Sequence, residues 1–578
     1  MKSFKLLLLI LSAPFLLTAC GSVAVKNAPD AEIKGGRLEI SEAPALAHYD
    51  KKVGMLYFSP ENRLVLRGAD GVEQVLNQAN EGSARSAHAI LHNDGKTLYA
   101  MWRPKLYKPL EGVGGIGDKL VYMRASKDGG RTFGPIHRLN QQGGAFKPFI
   151  ASNGRGDVYV AYTDERNSGS DIDIYLNVSH DSGESWKAKD VQIDGNESRM
   201  AFNPSVVADG DRVHVSWMTR TYTNEYKIFV RSSEDRGETW LAPVAVHVSL
   251  EQPATPLMVK TGYGLQVCWG DVKAVRCTSS GDGAKTWAKA VPVEDSVGAA
   301  GIFLAADPRG AAHLLIARKP EDEKARVNLF HVMSEDGVAF TRPQRLSGGV
   351  PHVASTILPA MDFGDDGSML AVWVEMRYLR PVIAANYSRD GGKTWLEKDI
   401  VLGGKKGLYH FFPAVSYAGA GKYSIVWQET PDRSNPASVI GQTEYQPGSP
   451  GVAMPVPDVA RLKARVDTFW RLREEGKWDK IYDLLDPYFR EANSRSAYAK
   501  TQGSVTYHAH RLVGEPEITG SRASVQVAYD SEVPELMLRG KKISVPRAEV
   551  EIPQEWIWVD GEWFHVFRDL FGGSTLID

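Results

Sequence analysis

A short pattern, S-x-D-x-G-x-[TS]-[WF], returns along most of this chain, and it limits the possible folds more than any other feature. Residues 126–133 read SKDGGRTF, 179–186 SHDSGESW, 233–240 SEDRGETW and 388–395 SRDGGKTW. The copy at 280–287, SGDGAKTW, carries Ala284 where the others have Gly. A further copy opens at Ser334-Glu335-Asp336-Gly337 and decays into Val338-Ala339-Phe340. The first residues of successive copies lie 53, 54, 47, 54 and 54 apart. A fixed period of this size marks a repeat architecture, one supersecondary unit per period.

Each copy has the chemistry of a tight turn. The Asp carboxylate accepts backbone N–H groups, the Gly takes a positive φ without steric cost, and the Thr or Ser bonds back locally. The closing Trp or Phe packs between neighbouring units. Ahead of each turn the spacing predicts three strands. The first is short and apolar, from 87–91 in the first unit to 413–416 in the seventh. The second alternates and often ends in an aromatic, from 98–102 to 423–427, and the third leads into the turn. The seventh unit lacks the turn motif, and no outer strand follows 439–445. Strands around Met55-Leu56-Tyr57-Phe58 and Leu64-Val65-Leu66 are placed to supply that strand and close a ring.

The repeat resembles the Asp-box (BNR) repeat of sialidase-like β-propellers. The resemblance implies a mainly β fold, a seven-bladed propeller by the unit count over 53–445, or a six-bladed one as in catalytic sialidases. It implies little about activity, because the Asp box is a folding element.

The chain opens with Lys2 and Lys5, an apolar run over 6–17, and Leu17-Thr18-Ala19-Cys20. The run is short for a membrane span and reads as a signal-peptide core, residues 1–19. Leu-Thr-Ala-Cys resembles the bacterial lipobox, which implies lipidation of Cys20 and a membrane anchor. Gly21 in place of Asp implies sorting to the outer membrane, with 20–52 a tether. The formal net charge of −2 is no footprint for nucleic acid. Cys268 and Cys277 are the other cysteines. With a turn at Gly270-Asp271 they stand about four residues out of register, which favours two buried thiols over a disulfide.

In a propeller the loop after each second strand lies opposite the Asp-box turn, near the central channel. That position supplies Arg103; Asp164, Glu165 and Arg166; Arg220; Asp271; Arg318 and Lys319; Glu375 and Arg377; and Glu429. Charged residues are common in solvated loops. The sharper reading is a mixed-charge funnel that binds an anionic or sugar-like ligand. Asp171 and Asp173 alternate with Ile172 and Ile174, as on a strand with one wet face. Catalytic sialidases hold a carboxylate with three arginines, attack with a Tyr paired to a Glu, and use an Asp as acid/base. Their Phe/Tyr-Arg-Ile-Pro motif is missing, and Trp102-Arg103-Pro104 is only a partial echo. By position, Arg166, Arg220, Arg377 and Arg380 are candidate arginines. Glu375, Tyr378 and Asp164 are the candidate catalytic groups.

A Pro- and Gly-rich linker, 446–457, precedes a final domain over 458–578. Asp458 caps a helix carrying Val459, Leu462, Val466, Phe469, Trp470 and Leu472 at helical period, and Gly476 ends it. A second helix over 478–485 stops at Asp486-Pro487, and a shorter one covers 494–501. Strands follow at 505–513, 523–529 and 542–552, then a hairpin turning at Asp560-Gly561. This order resembles the NTF2-like (SnoaL-like) cone, which implies a ligand pocket or a pairing surface. Tyr482, Tyr488, Tyr507, His508, His510 and His565 are its pocket or rim groups. No metal-ligand cluster, P-loop or dinucleotide fingerprint occurs, and no cofactor is expected. The reading is a lipid-anchored envelope protein that binds a glycan or protein partner, with possible oligomerisation through the last domain. An exo-glycosidase of sialidase type and an envelope assembly scaffold are the alternatives.

Overall fold

The computed structural model describes residues 39–40, 45–49, 52–59, 63–68, 71–77, 88–103, 120–140, 144–168, 171–195, 198–271, 273–318, 327–347, 357–375, 381–403, 407–431, 438–449, 456–500, 505–538 and 541–567. Residues 1–19, expected to be a signal peptide, and Cys20 lie outside them. Among the described residues no helix is long and apolar enough to cross a membrane.

The seven units read from the repeat each contribute four strands, units 3 and 4 being joined into one eight-stranded sheet by the parallel pair Ile172 and Met200, and another four-stranded unit precedes them. That first unit runs Ala45–Tyr49, Lys52–Phe58, Leu64–Arg67 and Glu73–Val75. Its strands were expected to complete the last unit. They pair with one another instead, and Glu39–Ile40 supplies the missing outer strand by pairing with Ser438–Tyr445. Among the described residues this makes eight such units, one more than the repeat count gave. Glu39–Ile40 and Ala45–Tyr49, expected in the tether, are strands. The count missed unit 1 because that unit carries no Asp box.

The core sits between the sheets. Each of eight apolar clusters is shared by two successive units. Leu56, Phe58, Leu98 and Trp102 join units 1 and 2, for example, and Tyr159, Leu176, Val213 and Trp217 join units 3 and 4. Met55, Tyr57 and Val65 of unit 1 meet Val426 and Ile440 of unit 8, which closes the circle. The first strand of unit 1 packs against those of both unit 2 and unit 8. Edge strands are thus protected by circular repetition.

The Asp boxes form as their chemistry requires. In the first, Ser126 Oγ donates to Asp128, and the Gly130 N–H donates to Ser126 Oγ at 2.8 Å. Thr132 gives Asp128 both its N–H at 2.9 Å and its hydroxyl at 2.6 Å. These bonds, the Thr132 hydroxyl first, hold the exposed Asp128 carboxyl down to about 2. The same set of bonds recurs around Asp235, Asp282 and Asp390. The box glycine combines a positive φ with close approach to the preceding unit: at Gly183 (φ +82) a Cβ would stand 3.2 Å from Ala125 and 3.4 Å from the Tyr99 ring.

Cys268 and Cys277 are directly opposite and form a disulfide. The turn is longer than the sequence reading assumed. Asp271 Oδ1 accepts the N–H groups of Lys273 and Ala274, so Gly270 pairs with Val275 and the cysteines fall into register.

The C-terminal region is an α+β unit. Its antiparallel sheet runs Thr506–Thr519, Arg522–Leu538, Lys541–Val559 and Glu562–His565. Helix α1, Val459–Glu474, starts where Asp458 accepts the Arg461 N–H. It buries Leu462, Val466, Phe469 and Trp470 against the sheet, while Val459 stays exposed. Asp486-Pro487 ends one helical stretch and also starts another, Pro487–Ala492, with Asp486 accepting the Phe489 N–H. The last two strands were read as a separate hairpin, but its first half is the end of the 19-residue strand Lys541–Val559. A small apolar seam joins the two regions: Ile557, Val559 and Val566 meet Tyr409 at the start of unit 8.

Candidate functional site

The ends of the second strands carry a recurring sequence device. An acid stands two residues after an aromatic in four units: Tyr162-Thr163-Asp164, Trp269-Gly270-Asp271, Trp373-Val374-Glu375 and Trp427-Gln428-Glu429. Both residues point to one face of the strand, because side chains alternate with period two. In units 7 and 8 the indole N–H donates to its acid, Trp373 to Glu375 at 3.2 Å and Trp427 to Glu429 at 3.1 Å. Glu375 is wholly buried, and Glu429 nearly so. His410 Nε2 lies 3.6 Å from Glu429, and its Nδ1 is 2.9 Å from the Pro381 carbonyl.

Unit 3 holds the densest network. Arg166 reaches Asp164 at 2.7 Å and Asp190 at 2.6 Å, and its guanidinium lies 3.7 Å over the Tyr175 ring. The Tyr162 hydroxyl donates to Asp190. Burial opposes charge on Arg166, but the bonds to Asp190 and Asp164 outweigh it and raise its pKa. Burial raises the Asp164 pKa, opposed by Arg166, and burial with Asp190 raises that of Tyr162. Asn167 donates to Asp173 at 2.6 Å. Asp173 is buried, so the wet strand face expected there is corrected. Its charge and, first, burial push the neighbouring Asp194 carboxyl up to about 7.

The other charged positions divide. Asp271 caps its turn and pairs with Arg276 at 2.8 Å, so it serves the hairpin. Arg103 is affected by burial and by the charge of Glu165 in the next unit. Arg220 donates to Asn224 at 3.0 Å, and Arg318 lies 4.2 Å over the Phe330 ring; the Nε of each is buried without a bond. Lys319, Arg377, Tyr378 and Arg380 lie outside the described residues. The structure therefore gathers Asp164 and Arg166 into one cluster, and Glu429 with His410 into another. The sequence reading missed Asp190, Tyr162 and His410. The aromatic-x-acid spacing was the available signal for Tyr162. Asp190 lies 24 residues from its partner and left none.

Among the described residues no group of His, Cys, Asp and Glu is arranged to hold a metal ion. A groove of about 400 Å³ runs between units 8 and 1, past Arg67, Gln442 and Glu444. It lies on the flank of the ring, away from the second-strand ends, and the buried polar networks identify the candidate site better than volume does.

Residues 106–262 match a family described as a BNR repeat-like domain. A comparison with curated proteins finds no match. Among solved structures, an ulvan lyase of a new polysaccharide lyase family aligns over 72% of this chain and 94% of its own, at 13% identity and a TM-score of 0.39. A Hadza microbial sialidase aligns over 68% and 73%, at 12% identity and 0.35. An α-L-arabinofuranosidase from Fusarium graminearum aligns over 62% and 92%, at 13% identity and 0.36. These are proteins the chain is similar to, and at such identities and TM-scores nothing is carried over from them.

Proposed function

We propose that this chain is a lipid-anchored envelope protein whose eight-unit, sialidase-like β-propeller binds a glycan or a protein partner through the charged second-strand face without hydrolysing it. The observation that carries this reading is the commitment of the acids. Asp164 is held by Arg166, Asp271 by its turn and Arg276, Glu375 by Trp373, and Glu429 by Trp427. A glycosidase needs one carboxyl free to give a proton and another group free to attack. Arg220 and Arg318, by contrast, keep guanidinium donors at the same strand ends, which suits an anionic or hydroxyl-rich ligand.

The C-terminal unit, in this reading an NTF2-like cone, adds a second contact or pairs two copies. Its apolar seam with Tyr409 supports that role, because Tyr409 adjoins His410 and Glu429. Lipid on Cys20 anchors the protein, most simply at the outer membrane; a palmitate label lost in Cys20→Ser tests this.

Function is tested with a fluorogenic sialoside and a panel of aryl glycosides, beside a glycan-binding array. The expected result is binding without turnover, weakened by Arg220→Ala or Arg318→Ala. Turnover abolished by Glu375→Gln would instead establish the exo-glycosidase of sialidase type.

A further inference from the structure

The seams between successive units 1 to 7 are all filled in one way. The aromatic that closes each Asp box packs against the unit before it, so Phe133, Trp186, Trp240, Trp287, Phe340 and Trp395 occupy these seams in turn. The residue after each aromatic then donates its N–H to the next-to-last carbonyl of its own third strand, as Lys187 does to Val178 at 3.0 Å and Leu396 to Tyr387 at 3.2 Å. One device thus fills the seam and covers the end of a strand edge. Units 8 and 1 carry no box. The seam between units 7 and 8 is filled by rings of its own strands, Tyr387, Tyr417, Tyr423 and Tyr445. The seam between units 8 and 1 has no such filling at its box end.

The link from the third to the fourth strand of unit 1, 68–72, reads Gly-Ala-Asp-Gly-Val and offers no ring. The groove of about 400 Å³ lies where that ring would stand. In boxed units the box glycine approaches one cross-strand pair of the preceding unit: a Cβ on Gly183 would meet Ala125 and Tyr99, and one on Gly237 would meet Val178 and Tyr159. In unit 8, whose third strand ends at Tyr445, the corresponding pair is Glu444 and Ser424. Both line the groove, together with Gly68 and Gly71 of unit 1 and the buried Met55 and Val426. The strand edge beside it is open as well. Glu39–Ile40 pairs with Ser438 and Val439, and among the described residues no outer strand pairs with 442–444. An uncovered edge accepts a further strand, whose backbone then supplies affinity while pockets for alternate side chains supply specificity. The nearest segment of the chain itself, 21–38 ahead of Glu39, contains no aromatic residue. The exposed carboxylate of Glu444 at the rim suits a ring that carries an N–H, and indole N–H groups already bond carboxylates in this fold, Trp373 to Glu375 and Trp427 to Glu429.

We propose that this seam docks an extended segment of another protein, which pairs with 442–444 and lays a tryptophan side chain between units 8 and 1, its indole N–H towards Glu444. The ring takes the place that a box aromatic holds in the boxed units. The site lies at the Asp-box end of the seam and is independent of the second-strand face.

Isothermal titration of the full chain with the peptide acetyl-KTVTWTVK-amide tests the assignment. Saturable binding is expected, at least tenfold weaker when Ala replaces the Trp of the peptide and at least tenfold weaker when the backbone nitrogens flanking that Trp are methylated. Ser424→Trp, which puts a ring of the chain's own into the groove, should weaken binding at least tenfold. Glu444→Gln is a surface change that should weaken the Trp peptide about threefold and leave its Phe counterpart unchanged, which keeps the test sound should Ser424→Trp disturb folding. The proposal is overturned by absence of saturable binding, by the Ala peptide binding as tightly, or by affinity unchanged in Ser424→Trp and Glu444→Gln. Binding that emerges only after deletion of 21–38 would assign the edge to the chain's own N-terminal segment, and a dimer dissociated by Ser424→Trp would assign it to a second copy; either result also overturns it.

Discussion

The two faces of the ring use carboxylates in opposite ways. On the Asp-box face the acids are exposed, and their oxygens are filled by N–H and hydroxyl donors within four residues, as Thr132 and Arg131 fill Asp128. On the face of the second-strand ends most of the acids are buried and are held by side chains, some two residues away on the same strand and some from afar, as Arg166 bridges Asp164 and the distant Asp190. The first arrangement lowers a carboxyl to about 2, and the second raises Asp164 and carries Asp194 up to about 7. Local bonds to the ionised form make a scaffold. Burial with distant partners makes a site whose charge depends on every member being present.

The largest expected effect breaks the buried side of this contrast. Arg166→Met leaves Asp164 and Asp190 buried without their shared cation, and removing one partner of a buried pair costs about 3–5 kcal/mol. Thermal and urea denaturation should show a large loss, part of it recovered in Arg166→Met with Asp164→Asn. Asp128→Ala on the other face should cost clearly less. Equal losses would mean that the two faces do not differ as described.

Next come the box glycines, which tie the Asp-box face to the core. Gly183 and Gly392 share almost the same φ, +82 and +79, so the conformational cost of Ala, about 1–2 kcal/mol, is common to both. Their surroundings differ. A Cβ at Gly392 would lie 2.7 Å from His331 Cε1, on a ring fixed by His313 at 3.0 Å and by the Trp395 indole at 3.2 Å. Overpacking adds about 1–3 kcal/mol there. Gly392→Ala should therefore lower the melting temperature well beyond Gly183→Ala.

What the sequence made legible follows the same division. The Asp boxes and strand periods were readable because their bonds are local, and α1 was readable from Asp458 and its apolar spacing. Unit 1 escaped because its strands carry no box. The Cys268–Cys277 bridge escaped because the register turned on the side chain of Asp271, which lengthened the loop. At the candidate site the strand-end charges were visible as residues, but not their partners. Arg166 looked like a ligand-binding arginine; only the return of Asp190 beside it shows that its charge is already used.

Acid titration separates the faces by pH. His214 and His313 are buried, which lowers each to about 4, against about 6.5 in an unfolded chain. Between those values the unfolded state binds more protons, so stability is lost as pH falls, by about 1.4 kcal/mol per pH unit for each histidine. Asp194 works the other way: its raised carboxyl binds a proton in the fold up to about 7, so its contribution is lost as pH rises from about 3.8. The Asp boxes enter only below about 3.8, towards 2. Asp194→Asn keeps an acceptor for the Ile174 N–H, as Asn140 does for Val121 in unit 2. It should steepen the loss between pH 6.5 and 4 and leave the variant more stable than the parent at pH 8. An unchanged pH profile would remove Asp194 from the account.

The smallest effect concerns Ala284, the one box residue that breaks the glycine rule, at φ 68. Two terms oppose each other in Ala284→Gly. Relief of the left-handed conformation gains about 1–2 kcal/mol. Against it stand about 0.8 kcal/mol for the lost methyl and about 0.5–1 kcal/mol for the freer unfolded chain. Ala284 packs in the cluster of Val207, Met258 and Leu265, so its methyl is fully used. The net change should lie within about 1 kcal/mol of zero. Gly237→Ala in the box before it should destabilise, since a Cβ there would stand 3.3 Å from Val178 and 3.5 Å from the Tyr159 ring. One residue of the preceding unit differs: His214 stands in unit 4 where units 2 and 3 carry Tyr99 and Tyr159, each directly after the residue paired with the box serine. A smaller ring there leaves space for a methyl. Ala284→Gly in a His214→Tyr background should accordingly be better tolerated than His214→Tyr alone, and equal stabilities of those two variants would break the link between ring size and the box glycine.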